Sequence, residues 1–292
     1  IASGLESPQQ IAVDDTDVYF NDYKKGAFLR KVSKNGGEVV KLASVGGSAS
    51  FITVQIAVDG TNVYVVDELG VRKLSKNGGA ETPLASLSTT SSRIFKIALD
   101  DSNVYWSEGE SVKTVPKNGR NEDKKTLATV TDVESYINGL SLDETYVYFA
   151  ESKPGPRSVV KKVPKIGGNA ETIATFDRFP TTLTADASGV YWVEDSLVLN
   201  GLLKGERAVT TFASTEYTMD LATDEKNIYV ADGNHISLIG KGSIKKVPKA
   251  GGSLTTLASG LSNPYSLAVD NRYVYWSENW PEKHTIKKIS KG

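Results

Sequence analysis

Residues 257–278, LASGLSNPYSLAVDNRYVYWSE, repeat nearly the same text as the start of the chain, residues 1–22, IASGLESPQQIAVDDTDVYFND. A chain that begins inside its own repeating unit has to be searched for further copies before any local reading is made. Seven are present: IAVDDTDVYFND (11–22), IAVDGTNVYVVD (56–67), IALDDSNVYWSE (97–108), LSLDETYVYFAE (140–151), LTADASGVYWVE (183–194), LATDEKNIYVAD (221–232) and LAVDNRYVYWSE (267–278). They place an aspartate at 14, 59, 100, 143, 186, 224 and 270, and the seven units use up all 292 residues, which predicts one domain over 1–292 with no linker.

Each unit reads as four short strands. The first alternates large and small residues, with Ala12, Ala57, Ala98, Ser141, Thr184, Ala222 and Ala268 in the small slot, as expected where neighbouring sheets converge on an axis. The repeated Asp then opens a four-residue turn, ending in Asp17, Asn62, Asn103, Gly189 or Asn227, residues that tolerate positive φ; Tyr146 and Tyr273 depart from this and point to a different turn type. The second strand, as in Val104-Tyr105-Trp106, is apolar on both faces, so both must be covered by neighbouring sheets. A lysine-rich third strand ends in glycine turns such as SKNGG and PKAGG, and an LAS-type strand follows. The last unit, 261–292, stops after its third strand, and residues 1–4 are expected to supply the fourth, which closes the ring and removes its open edges.

The A-V-D, V-Y-W-S-E and K-V-P-K-x-G-G segments resemble those of seven-bladed β-propellers of the YWTD/NHL-like repeat type, including bacterial extracytoplasmic K-V-P-K-x-G-G proteins. The implied fold is all-β, with seven four-stranded antiparallel blades. The chain departs from lipoprotein-receptor YWTD propellers, which have six blades. Streptogramin lyases share the seven-bladed plan, but this chain lacks their W-F-T-E pattern, and the approach to the innermost strand of blade 7 reads Asn263-Pro264-Tyr265, without a histidine. The resemblance specifies a fold and leaves function to the site.

Composition narrows the functional classes. The 34 basic and 35 acidic residues nearly cancel, so no global field favours nucleic acid, and no apolar run is long enough to insert in a membrane. With no cysteine there is no thiol nucleophile, thiolate metal site or disulfide. Glycine-rich nucleotide loops, a G-x-S-x-G elbow and an H-E-x-x-H pair are all missing. The start at Ile1 reads as either a processed mature protein or an excised domain, and the absence of N-x-S/T acceptors together with the resemblance suggests an extracytoplasmic bacterial protein, secreted, periplasmic or surface-located.

An acid follows each second-strand tyrosine by three residues: Asp22, Asp67, Glu108, Glu151, Glu194, Asp232 and Glu278. Such a ring would suit Ca²⁺ or acid–base chemistry, but presence in every copy favours cross-strand partners for the third-strand lysines. Asymmetry points instead to the variable end of the blades, where the second-to-third and fourth-to-first connections lie. Candidate ligand-binding residues there are Phe51, Phe95, Tyr136, Phe179, Tyr217 and Tyr265, with Tyr23, Arg157, His235, Trp280 and His284. No metal or cofactor is expected; should a divalent ion, Ca²⁺ or another, sit in the channel, Asp232, His235, Glu278 and His284 are the candidates to hold it. The expected function is non-catalytic binding of a glycan or protein. The alternatives are a metal-assisted lyase or hydrolase and a structural spacer. The run Leu197 to Leu203 in blade 5 replaces the lysine-rich strand and is a candidate self-association surface.

Overall fold

The computed structural model describes residues 1–23, 27–46, 54–88, 96–130, 135–153, 157–233, 241–279 and 284–292. Among the described residues, twenty-seven strands form seven antiparallel sheets, each in simple up-and-down order, and the one helical element is a 3₁₀ turn, Asn121–Asp123. Blades 1 to 7 span residues 8–45, 55–85, 97–129, 136–176, 180–214, 218–261 and 264–290. Each innermost strand touches the innermost strands of the blades before and after it, and Pro8–Val13 meets Pro264–Val269, so the seven sheets form a closed ring.

Packing follows from the two-faced second strand. In Asp17–Tyr23, Tyr19 packs against Ile56, Val63 and Leu74 of blade 2. Its neighbours Val18 and Phe20 point the opposite way, onto Tyr275 and Ile286 of blade 7. Period-two alternation thus feeds two inter-blade cores from one strand. Trp106, Trp192 and the tyrosines Tyr19, Tyr64, Tyr105, Tyr191, Tyr229 and Tyr275 are fully buried in such seams.

At the short-turn end one ion-paired construction recurs, among the described residues, at six of the seven seams. Asp14 Oδ1 accepts the Thr16 and Asp17 backbone N–H groups, each at 2.8 Å, and its Oδ2 accepts the Tyr19 hydroxyl at 2.9 Å. The lysine of the glycine turn in the following blade then reaches back across the seam. Lys76 pairs with Asp14 at 2.5 Å, Lys117 with Asp59 at 2.8 Å, Lys165 with Asp100 at 3.1 Å, Lys291 with Asp224 at 2.6 Å and Lys34 with Asp270 at 2.5 Å, while Lys249 pairs with Asp186. Several of these ammonium groups also lie over the tyrosine ring of the same motif, 5.1 Å from the centroid for Lys34 on Tyr275.

The structure amends two expectations. Tyr146 and Tyr273 form the same turn as the others, with Asp143 Oδ1 and Asp270 Oδ1 accepting their N–H groups at 2.7 and 2.8 Å. None of the seven residues at that position has positive φ, so the Asp side chain defines the turn and the closing residue is free to vary. The N-terminus completes blade 7 by a bridge and not by a full fourth strand. Ala2 and Ile286 exchange two backbone hydrogen bonds at 3.2 and 3.0 Å, and the Leu5 N–H donates to His284 O at 3.3 Å. Gly4, with φ +69°, separates the two contacts and ends regular pairing.

Candidate functional site

The carboxylates that close the second strands are structural. Arg30 faces Asp22 at 3.5 Å, Lys113 faces Glu108 at 3.1 Å, Lys161 faces Glu151 at 2.7 Å, Lys245 faces Asp232 at 2.9 Å and Lys287 faces Glu278 at 2.9 Å. Arg72 pairs with Asp67, and in blade 5, where the lysine is missing, Asn200 donates to Glu194 at 2.7 Å. The same acids hold the loop arriving from the previous blade: Asp22 accepts the Ser7 N–H and Asp67 the Gly46 N–H, both at 2.7 Å. The Trp106, Trp192 and Trp276 indoles donate to Glu108, Glu194 and Glu278. Asp232 and Glu278 are therefore occupied by lysines, His284 starts the strand His284–Ser290 opposite Asn279, and His235 lies outside the described residues. Among the described residues no group of three acids or histidines is arranged for a metal ion.

Asymmetry appears one step inside the ring. The position two residues before each small slot holds Gln10, Gln55, Lys96, Gly139, Thr182, Asp220 and Ser266, a different mixture in nearly every blade. Strand irregularities just before this point, at Pro8/Ile11, Ile137/Gly139, Pro180/Thr182, Thr218/Asp220 and Pro264/Leu267, break the two-residue alternation. Such bulges re-aim a side chain, and here they turn polar groups onto the ring axis. Asp220 of blade 6, 5% exposed, is the hub. It accepts Ser266 Oγ at 3.1 Å and Leu267 N at 3.0 Å from blade 7, Thr182 Oγ1 at 3.4 Å from blade 5, and Lys96 Nζ at 3.0 Å from blade 3 across the axis. The Ser266 hydroxyl also lies 3.4 Å from Gln10 Oε1 in blade 1.

This polar crossing was not singled out from the sequence, although its signal is present: polar residues of unlike type at a position where a core strand would carry apolar ones. Replacing Asp220 with Ala strands four donors and the Lys96 charge, and should cost about 3 kcal/mol in urea denaturation. Lys96→Met leaves Asp220 with its four neutral donors, the Leu221 N–H at 3.0 Å among them, and should cost less, about 2 kcal/mol. Equal losses would mean that Asp220 is not the hub.

Of the aromatic candidates, Tyr265 and Tyr23 come together beside this crossing. Burial, then the Asp220 charge and then Tyr23, push the Tyr265 phenol above its ordinary pKa. Burial likewise raises Tyr23, whose hydroxyl accepts the Val54 N–H at 3.1 Å. Asn263 adopts φ +54° and donates to Asn279 at 3.1 Å, turning the chain into Tyr265. Tyr136 opens the innermost strand of blade 4, paired with Ser152, and Arg157 is an exposed residue at φ +95°.

Phe179 and Tyr217 lie apart from Tyr265, 46% and 37% exposed, with Leu197 at 42%. Backbone hydrogen bonds tie their three segments together: Asp195 N to Phe179 O at 2.8 Å, Thr215 N to Leu197 O at 2.7 Å and Thr218 N to Ser196 O at 2.9 Å. The Arg178–Asp195 ion pair at 2.8 Å borders them. Elsewhere in the run 197–203, Leu199 is fully buried and Leu202 and Leu203 pack into the adjoining cores, so Leu197 is its exposed leucine. Phe51, Phe95, His235 and Trp280 lie outside the described residues.

No protein-family pattern and no curated protein matches the chain. Solved structures do. YCF48 bound to D1 peptide is similar with a TM-score of 0.70 and 9% identity, over 100% of this chain and 94% of that one. A chain of the nidogen/laminin complex has a TM-score of 0.57 and 16% identity, over 85% and 90%. BamB from Moraxella catarrhalis has a TM-score of 0.57 and 17% identity, over 94% and 83%. At these identities the likeness is one of fold.

Proposed function

We propose that this propeller binds a protein or peptide partner, without chemistry, through its variable end, with the contact centred on Phe179, Leu197 and Tyr217. The observation that carries the reading is the contrast between the two ends. One is a repeated set of ion-paired turns whose exposed apolar residues, Val40, Ile166 and Val209, sit on separate blades, whereas the other gathers two aromatic side chains and a leucine on three segments tied by backbone hydrogen bonds. Exposed aromatic groups on a preorganised frame act as interface anchors. Phe179 and Leu197 have no hydrogen-bonding tip, which suits apolar side chains of a polypeptide better than the hydroxyls of a glycan. Two of the structurally similar propellers, in the nidogen/laminin complex and in YCF48 bound to D1 peptide, are seen with polypeptide partners, which supports the reading. The engaged state of the second-strand acids supports binding over hydrolysis or elimination. The Y-W-S-E and K-V-P-K-x-G-G text supports placing the repeat in the YWTD/NHL-like group.

Selection of a displayed-peptide library on the wild-type protein tests this. Enriched peptides should bind Leu197→Glu and Tyr217→Ala about tenfold or more weakly, while Ile166→Glu, at a 98% exposed residue on the opposite end, should leave binding unchanged. Enrichment of no peptide, with glycan-array binding in its place, would overturn the reading. So would peptide binding that responds to Ile166→Glu alone.

A further inference from the structure

Among the described residues, six of the seven blade seams carry the lysine–aspartate pair at the short-turn end, and the seam between blades 4 and 5 does not. The aspartate is in place. Asp143, 8% exposed, accepts the Thr145 and Tyr146 N–H groups at 2.7 Å through Oδ1 and the Tyr148 hydroxyl at 2.9 Å through Oδ2. The lysine of the following blade is also in register, since the Lys204 N–H donates to Ser188 O at 2.8 Å as its counterparts do in the other turns. Its side chain, however, is exposed, whereas the six paired lysines have side chains only 7% to 15% exposed. A cavity of about 270 Å³ remains at the seam, lined by Asp143, Tyr146, Tyr148, Lys162, Leu202 and Lys204 among others.

The seam between blades 7 and 1 shows what belongs there. It has the same Tyr-x-Tyr arrangement, with Tyr273 and Tyr275 centroids 6.2 Å apart against 6.3 Å for Tyr146 and Tyr148. Lys288 covers Tyr273 at 4.5 Å as Lys162 covers Tyr146 at 4.8 Å. The difference is Lys34, whose Nζ lies 2.5 Å from Asp270 Oδ2 and 5.1 Å from the Tyr275 ring centroid. At the 4–5 seam a buried carboxylate and an aromatic face of the same geometry stand beside a cavity in place of that ammonium. A buried carboxylate held only by neutral donors gains from a cation that brings its own hydrogen bonds, and a tyrosine face adds to the attraction.

We propose that the seam between blades 4 and 5 is a binding site for an alkylammonium group, the nitrogen taking the place that Lys34 Nζ fills at the 7–1 seam and the alkyl chain lying along Leu202. The site is on the opposite end from the interface proposed above and does not depend on it. Titration of the ¹⁵N-labelled, tyrosine-labelled protein with n-butylammonium chloride, against sodium chloride at equal ionic strength, tests it by NMR. Tyr146, Tyr148 and the 202–206 turn should shift saturably, while Tyr273 and Tyr275 stay still. Asp143→Asn should weaken binding about tenfold or more. Lys34→Ala, which vacates the 7–1 seam, should make Tyr273 and Tyr275 respond as well, so the proposal is tested even if Asp143→Asn does not fold.

A parallel titration with N-acetyl-lysine methylamide separates the sources: an equal response admits a lysine of a polypeptide, and a response to butylammonium alone assigns the site to free amines. Shifts that are linear in concentration or spread over surface carboxylates would overturn the proposal. Undiminished binding by a folded Asp143→Asn protein would do so as well.

Discussion

Removing residues 1–5 should lower the thermal midpoint by roughly 10 °C. Leu5, 8% exposed, packs with Ile11, Val18, Phe20, Tyr275 and Ile286 at the seam between the first and last blades, and Ile1 and Ala2 lie against the same cluster. Stripping Leu5 removes about 2–3 kcal/mol of apolar burial, and the backbone hydrogen bonds to Ile286 and His284 add about 0.5–1 kcal/mol each. A loss of about 4 kcal/mol at roughly 2–4 °C per kcal/mol for a chain of this size gives the stated shift. The truncation also bares the His284–Ser290 edge, so light scattering should show concentration-dependent association. An unchanged calorimetric midpoint would show that the bridge at Ala2 does not close the ring energetically.

Acid should unfold the protein steeply below about pH 4. Six seam aspartates, Asp14, Asp59, Asp100, Asp186, Asp224 and Asp270, all sit below the ordinary carboxylate pKa. Burial alone would raise each of them. It is outweighed by the lysine from the neighbouring blade, the turn N–H groups and, for most, the tyrosine hydroxyl. A group whose folded pKa is depressed contributes stability that is complete above its unfolded pKa, about 3.9, and that is lost as pH falls through the folded value. The unfolded chain binds the extra protons in that interval, so each aspartate contributes up to about 1.4 kcal/mol per pH unit, less the screening felt by these partly exposed pairs.

Urea denaturation at a series of pH values should therefore show flat stability from about pH 7 to 5 and an uptake of several protons below pH 4. Asp14→Asn should be less stable at pH 7 and take up fewer protons on acidification. Uptake of one proton or fewer between pH 4 and 2 would remove the seam pairs from the stability of the ring. The tyrosines of the same motif act in the opposite sense. Burial and then the aspartate raise the phenols of Tyr19, Tyr64, Tyr105, Tyr229 and Tyr275, so their contribution is complete below about pH 10 and is lost as the phenols ionise.

Much of the architecture is legible in the chain because repetition averages out local ambiguity. Seven copies of a Val-Tyr-aromatic strand cannot all be exposed, and seven Asp-x-x turns cannot all be ligands. The pairing of Asp22, Glu108 and Glu278 with third-strand cations follows from cross-strand spacing within one blade, which the sequence carries directly. The closing residue of the Asp turn does not need the positive φ that its residue types suggest, because the aspartate side chain supplies the hydrogen bonds that a left-handed residue would otherwise have to arrange. The candidate aromatics share a loop class, and loop class does not reveal which of them are buried. Tyr265 and Tyr23 turn inward beside Asp220, while Phe179 and Tyr217 face out.

By itself, then, the sequence determined the number of blades, the strand order and the division into a uniform end and a varied end, since each is a matter of spacing along the chain. Only the tertiary structure decided what meets across the seams and across the axis. Lys34 reaches Asp270 from 236 residues away, Lys96 spans the ring to Asp220, and Lys204 leaves Asp143 without the partner that its counterparts have. Ring closure brings these groups together, and in a closed ring the neighbour of a residue is set by the curvature of the whole rather than by any local pattern.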